Sequence, residues 1–243
     1  MSFQLQYSQY NEYSILVEWP AIIDENILQD MLLFKEIVEN KYVKESVYVV
    51  SAYNSILIIY DFTIDDVNDV FLDLKELYSS QRNVKQIGSK TFRIPVCYEG
   101  EFAMDLDGYA KEINRSKKDI ISLHSNTIYT VFFIGFLPGF LYLGGLNSDL
   151  YLDRKTTPNL NIKKGSIGIG GKQTGIYPQD SPGGWHIIGN SPIELFNPKH
   201  NPPCFIKAGD RVKFHPISKL EHQKMKSEIN NTKFDFKTLL LND

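Results

Sequence analysis

The hydrophobic positions of this chain change rhythm part-way along. "YSILVEW" (Tyr13 to Trp19) alternates apolar and polar residues, as a strand with one buried face does. Ile27, Met31, Phe34 and Val38 then recur at helical spacing through "ENILQDMLLFKEIVEN", with Asp24 placed to cap the helix. "SVYVVSA" and "SILIIYD" are two β-rich runs joined by Tyr53-Asn54, which predicts a hairpin. Thr63 and Asp66 form a capping-box pattern ahead of a second amphipathic helix carrying Val67, Val70, Phe71, Leu74 and Leu77. "TFRIPVCY" reads as one more strand. The order is β-α-β-β-α-β. Residues 1–97 are therefore expected to form an α+β, ferredoxin-like domain, with two helices covering one face of an antiparallel sheet.

From residue 98 the periods shorten. "DLDGYAKEINRSKKDIISLHS" reads as two short helices, the second capped by Ser116 and Asp119. "TIYTVFFIG" (Thr127 to Gly135) is strongly β. As far as Ser218, short strands alternate with turn signals such as Leu137-Pro138-Gly139, Gly170-Gly171 and Pro182-Gly183-Gly184. That pattern favours a barrel or sandwich over residues 98–243, with a polar surface helix and tail at the end.

Composition narrows the function classes. A chain of 243 residues can bury a substantial core, and a net charge of −3 gives no basic footprint for nucleic acid. No apolar run approaches the roughly 20 residues needed to span a bilayer. The N-terminus lacks the basic-then-apolar order of a signal peptide. Cys97 and Cys204 lie far apart and form no metal-binding spacing, which fits two thiols in a reducing cytoplasm.

The densest signal is "SIGIGGKQTGIYPQDSPGGWHIIG" (Ser166 to Gly189), with seven glycines. It is not a phosphate loop. Gly165 and Gly170 have the spacing, but Gly171 stands where lysine is required. A dinucleotide fingerprint fails at Gln173, and Gly165-Ser166-Ile167-Gly168 is one residue short of a nucleophile elbow. The histidines show no metal-ligand spacing, although His124 and His186 could converge in the fold. What remains is a polar and aromatic set among turns: Lys172, Gln173, Thr174, Tyr177, Asp180, Ser181, Trp185 and His186. Such a set suits binding loops on a rigid scaffold, and it equally suits residues that pin barrel turns.

Three blocks carry a resemblance: "FFIGFLPGFLYLGGL" (Phe132 to Leu146), "GSIGIGGKQTGIYPQDSPGGWHIIG" (Gly165 to Gly189) and "AGDRVKFHPI" (Ala208 to Ile217). They resemble the family of the bacterial 5-oxoprolinase B subunit, also called allophanate hydrolase subunit 1 or the KipI family. The resemblance covers the whole chain. It implies a mostly-β, cyclophilin-like barrel for the second domain. It implies work with two partners, a second cyclophilin-like protein (the C component) and the A component. Together they open 5-oxoproline to L-glutamate at the expense of ATP. Alternative roles in the family are inhibition of a sporulation-type histidine kinase and a part in urea or allophanate carboxyltransferase chemistry.

Matched residue by residue, the resemblance places a pocket or interface at His124, Tyr129, Gly135, Phe136, Pro138, Gly139, Gln173, Thr174, Tyr177, Ser181, Gly183, Gly184 and Trp185. It assigns no metal ligand and no catalytic base. Asn159 and Asn190 stand where the family usually has arginine. Lys163, Lys164 or Lys172 could restore the charge but not the bidentate geometry of a guanidinium.

Overall fold

The computed structural model describes residues 3–42, 47–80, 88–231 and 234–241. Contacts divide the chain into two compact units, Met1–Gly88 and Ser89–Asp243. In the first, strand β1 (Gln6–Asn11) and strand β2 (Ser14–Glu18) form an antiparallel hairpin. Helix α1 (Glu25–Lys41) follows, its first N–H groups held by Asp24, whose Oδ1 accepts from Asn26 and Ile27. Strands β3 (Tyr48–Ser51) and β4 (Ser55–Ile59) make the expected hairpin, and helix α2 (Val67–Ser80) closes the unit. Asp66, not Thr63, supplies the side-chain cap of α2, accepting from the Asn68 N–H at 2.8 Å.

Ile15, Val17, Ile56 and Ile58 are buried, as are Ile27, Met31, Phe34 and Val38 on α1. One carboxylate ties these layers together. Asp30 accepts from the Trp19 indole N–H at 2.8 Å and from the Tyr78 hydroxyl at 2.6 Å.

The ferredoxin-like expectation is overturned. The sheet order is β1-β2-β4-β3, antiparallel throughout, and the element order is ββαββα. Strand β1 escaped the pattern because it is exposed along nearly its whole length and carries no alternation. The run "TFRIPVCY", read as the last strand of that domain, is strand β5 (Thr91–Cys97) of the second unit. Its alternation is that of any half-buried strand, and a period of two does not name the partner sheet.

The second unit is a closed barrel. It contains α3 (Leu106–Glu112), α4 (Lys117–Asn126), β6 (Ile128–Ile134), β7 (Leu141–Gly144), β8 (Asn159–Ile162), β9 (Ser166–Gly170) and β10 (Gln173–Ile176). Then come β11 (Ser181–Gly183), β12 (His186–Asn190), β13 (Arg211–Ile217), α5 (Lys219–Asn230) and β14 (Leu240–Leu241). The ring runs β12-β9-β10-β7-β6-β13-β5 and returns to β12 through the Asn190–Cys97 pairing. Strand β13 lies parallel to β5 over seven residue pairs, β14 adds to β5, and β8 with β11 forms a separate ribbon. Ile94, Val96, Val131, Leu141, Leu143, Ile167, Ile169, Ile176, Val212 and Phe214 fill the interior. No helix among the described residues is long and apolar enough to cross a membrane.

Candidate functional site

Strands β9 and β10 have two faces, and the candidate residues divide between them. Thr174 points into the barrel. Its hydroxyl donates to the Gly168 carbonyl at 2.9 Å, so its oxygen accepts from His124 Nε2, 3.0 Å away. His124 Nδ1 must then accept from the Tyr98 hydroxyl at 2.8 Å. The network thus fixes one neutral tautomer, assigned from hydrogen-bond logic. The ring stacks on Phe214 at 4.5 Å and 16°, and the Tyr129 hydroxyl donates to the His124 carbonyl at 2.9 Å. Burial drives the His124 pKa down from 6.5 to about 3 and pushes the Tyr98 and Tyr129 phenols up. His124, Tyr129 and Thr174 are therefore joined in the interior as a satisfied polar tie.

The outward face of the same strands is Gly168 and Gly170 on β9, with Gln173 and Gly175 on β10. The indole of Trp185 lies over this cleared wall. A Cβ on Gly170 would sit 2.6 Å from its Cδ1 and Nε1, one on Gly168 3.0 Å from its Cβ, and one on Gly175 3.0 Å from its ring. Phe140, Tyr177 and Ile187 pack with Trp185, and Phe140 meets both Trp185 and Tyr177 edge-on. Tyr142 pairs across the sheet from Gly175 and stacks on Phe133 at 4.1 Å. A Cβ on Gly183 would strike the Tyr177 hydroxyl.

The loop from Gly135 to Phe140 forms the rim. Gly139 has φ 84° and passes so close to Phe196 that a Cβ would lie 2.6 Å from that side chain's Cβ. Phe136 adopts φ 67° and is 63% exposed, so a bulky residue is held in the left-handed region with its ring in solvent. Pro138 is exposed beside it. Ser181 lies apart on the β8–β11 ribbon and donates to the Pro182 carbonyl, while the Gly184 carbonyl accepts from Lys155 N–H at 2.8 Å.

The lysines offered as replacements for arginine are engaged elsewhere. Lys163 pairs with Asp180 at 2.8 Å, Lys164 with Glu194 at 2.6 Å, and Lys172 sits over the Tyr151 ring. Lys163, Lys164 and Asp180 line a cavity of about 430 Å³ with Phe102, Ile187 and Asn190, and Trp185, Phe140 and Tyr177 take no part in it. Asn190 is itself occupied, donating to the Lys164 carbonyl and accepting from His222 Nε2 at 2.9 Å. The cation on the aromatic face is Arg154, whose Cζ stands 5.6 Å above the Trp185 ring. Sequence reasoning passed over it because "YLDRKTTPN" has neither periodicity nor motif, and the contacts that place it are remote along the chain.

A family model described as the carboxyltransferase domain, subdomain C and D, matches residues 5–206. The chain belongs to this carboxyltransferase-domain family. A Bacillus subtilis protein named as the B subunit of 5-oxoprolinase is 32% identical over 240 residues, covering 95% of this chain and 100% of that protein. A Haemophilus influenzae protein of the same name is 41% identical over 171 residues, 70% of this chain and 79% of its own length. The solved structure of a conserved uncharacterised protein from Pyrococcus horikoshii is 36% identical, with TM-score 0.53, covering 89% of this chain and 100% of that one. For this carboxyltransferase-domain chain, the glycine-rich block is thus a wall for an indole on one side and a lid on the core on the other.

Two outcomes test that description. A histidine whose folded pKa lies below its unfolded value withdraws stability as pH falls. Protein stability should therefore decline from pH 6.5 towards about 3, the window set by His124. In NMR spectra the His124 ring signals should stay constant between about pH 5 and 8; a midpoint inside that range would rule out the neutral tie. Gly170→Ala should cost roughly 1–3 kcal/mol by overpacking and move the Trp185 indole N–H resonance. Gly171→Ala, where φ is 65° and no atom lies within 4 Å, should cost about 1–2 kcal/mol of backbone strain and leave that resonance in place. Equal resonance shifts in the two variants would contradict the cradle.

Proposed function

We propose that this chain is the B subunit of an ATP-dependent 5-oxoprolinase, acting with the enzyme's A and C components to open 5-oxo-L-proline to L-glutamate. The observation that carries the reading is the end-to-end relation to the Bacillus subtilis protein of that name. A protein named as one subunit of an enzyme supports work in a complex. Trp185 and Phe140 are buried in an aromatic cluster, and the half-buried Gln173, on the same outward side of β10, is the group that supports contact with a partly polar ligand. A lactam presents an N–H donor and a C=O acceptor side by side, and a carboxamide is their complement. The Gln173 side chain makes no hydrogen bond among the described residues, so both of its groups are available. In this reading the chain binds and orients the ring, and the interior tie of His124 and Thr174 holds β10 in register beneath it.

The glycine block does not fit nucleotide phosphates. The Gly171 N–H donates to Leu152 and the Gly165 N–H to Tyr177, while β9 and β10 pair with each other and with their neighbours. The Gly165 and Gly171 amides are thus engaged in the protein's own backbone bonding. In this reading ATP is used by the complex.

Reconstitution tests the proposal. Glutamate release from 5-oxoproline should need ATP and all three components, and this chain alone should give none. Sustained turnover by the purified chain, or none by the full assembly, would reject it. Within the active assembly, Gln173→Ala should reduce activity about 5- to 150-fold, the value of one lost hydrogen bond with its mate left unpaired. Its melting temperature should match the parent. A normal rate in a normally stable complex would remove Gln173 from the site.

A further inference from the structure

We infer that Arg93, Lys213 and Ser125 form a site for a phosphate group on the outer side of the barrel, at the end of α4. The inference stands on this cavity and does not depend on the oxoprolinase reading. The cavity is open and measures about 350 Å³. Arg93, Ser125, Asn126, Lys213 and His215 give it its polar lining, and no carboxylate side chain among the described residues lines it. Strands β5 and β13 run parallel, and Lys213 is the register partner of Arg93. Both alternate with the core residues Ile94, Val212 and Phe214, so both leave the sheet on its outer side. Backbone pairing thus sets two cations next to each other, an arrangement that is unfavourable until an anion joins them.

Nothing within the described residues supplies that anion. Lys213 makes no hydrogen bond or ion pair there, and Arg93 Nη2 lies 2.8 Å from the ring nitrogens of His215. Burial and the Arg93 charge lower the His215 pKa, so the ring faces the guanidinium as a neutral acceptor. The cations are not needed as caps for α4. Its last-turn carbonyls at Leu123 and His124 already accept from the Thr127 and Tyr129 hydroxyls, at 2.8 and 2.9 Å. Ser125 is the second observation that points to a ligand. It lines the cavity and is only 8% exposed, yet its hydroxyl makes no hydrogen bond among the described residues. A side chain buried to that degree is ordinarily paired. A guanidinium, an ammonium and a hydroxyl are three donors with two positive charges between them. A tetrahedral dianion offers a separate oxygen to each, which a carboxylate cannot do.

The test titrates inorganic phosphate into the purified full chain by NMR, with acetate as the control. Phosphate should shift the Ser125 amide signal saturably and raise the titration midpoint of His215, because it offsets Arg93; Glu221 is the other charge that acts on that ring. Acetate should bind at least about tenfold more weakly. Lys213→Gln and Ser125→Ala should each weaken phosphate about 10- to 150-fold, and Lys213→Arg should bind it like the parent. In phosphate-free buffer Lys213→Gln should melt no lower than the parent, since it removes a like-charge contact. A phosphomonoester that binds more tightly than inorganic phosphate would support the site as one for a larger phosphorylated ligand; the reverse order would support the free ion. No saturable response, equal affinity for acetate, or unchanged phosphate binding in Lys213→Gln would each overturn the inference.

Discussion

The indole of Trp185 can lie flat only where two neighbouring strands carry no side chains. Gly168, Gly170 and Gly175 create that clearing: a Cβ on Gly170 would collide with the tryptophan, and one on Gly168 or Gly175 would crowd it. Three glycines in strands cost about 0.5–1 kcal/mol each. Burying a tryptophan removes about 150–250 Å² from water, worth roughly 4–6 kcal/mol at 25 cal/mol per Å² as an upper estimate. The exchange favours the cradle, and it leaves a buried aromatic cluster packed on the outer side of a closed barrel. Phe140, Tyr142 and Tyr177 are arranged around the indole, and the Arg154 Cζ lies 5.6 Å from its ring centroid.

The same strands must satisfy the opposite demand on their other side. Ile167, Ile169 and Ile176 fill the core, and Thr174 joins the His124 tie. Because strand side chains alternate, a slip of one residue in β10 would bury Gln173 and expose Thr174. The buried Tyr98–His124–Thr174 chain of hydrogen bonds makes such a slip costly, since His124 and Thr174 would each lose a partner in a medium that offers no replacement. Polar residues inside thus secure the position of polar residues outside.

Much of this was legible from the amino-acid pattern, and the failures have physical causes. Asp24, the Tyr53-Asn54 hairpin and the Ser116 cap are local devices, written in adjacent residues, and they read correctly. Strand β1 did not, because exposure on both faces erases alternation. Strand β5 was visible as a strand but not as a barrel member, since pairing partners lie far away in sequence. The glycine block was recognisable as unusual. Its division into an inner and an outer face follows from its period of two, whereas the position of Arg154 depends on Gly171, Gly184 and His186 and had no local sign.

The pairing of β5 with β13 also orders events in time. Thr91 is matched with Arg211 and Cys97 with Ile217, so the barrel's first strand meets its parallel neighbour only after about 120 further residues have been made. Until then β5 presents open hydrogen-bonding edges to a crowded cell, and non-local closure of this kind is slow. Pro95, in the middle of β5 and opposite His215, removes one donor from that waiting edge. A nascent chain that ends before Arg211 therefore lacks the strand that pairs with β5 along its length.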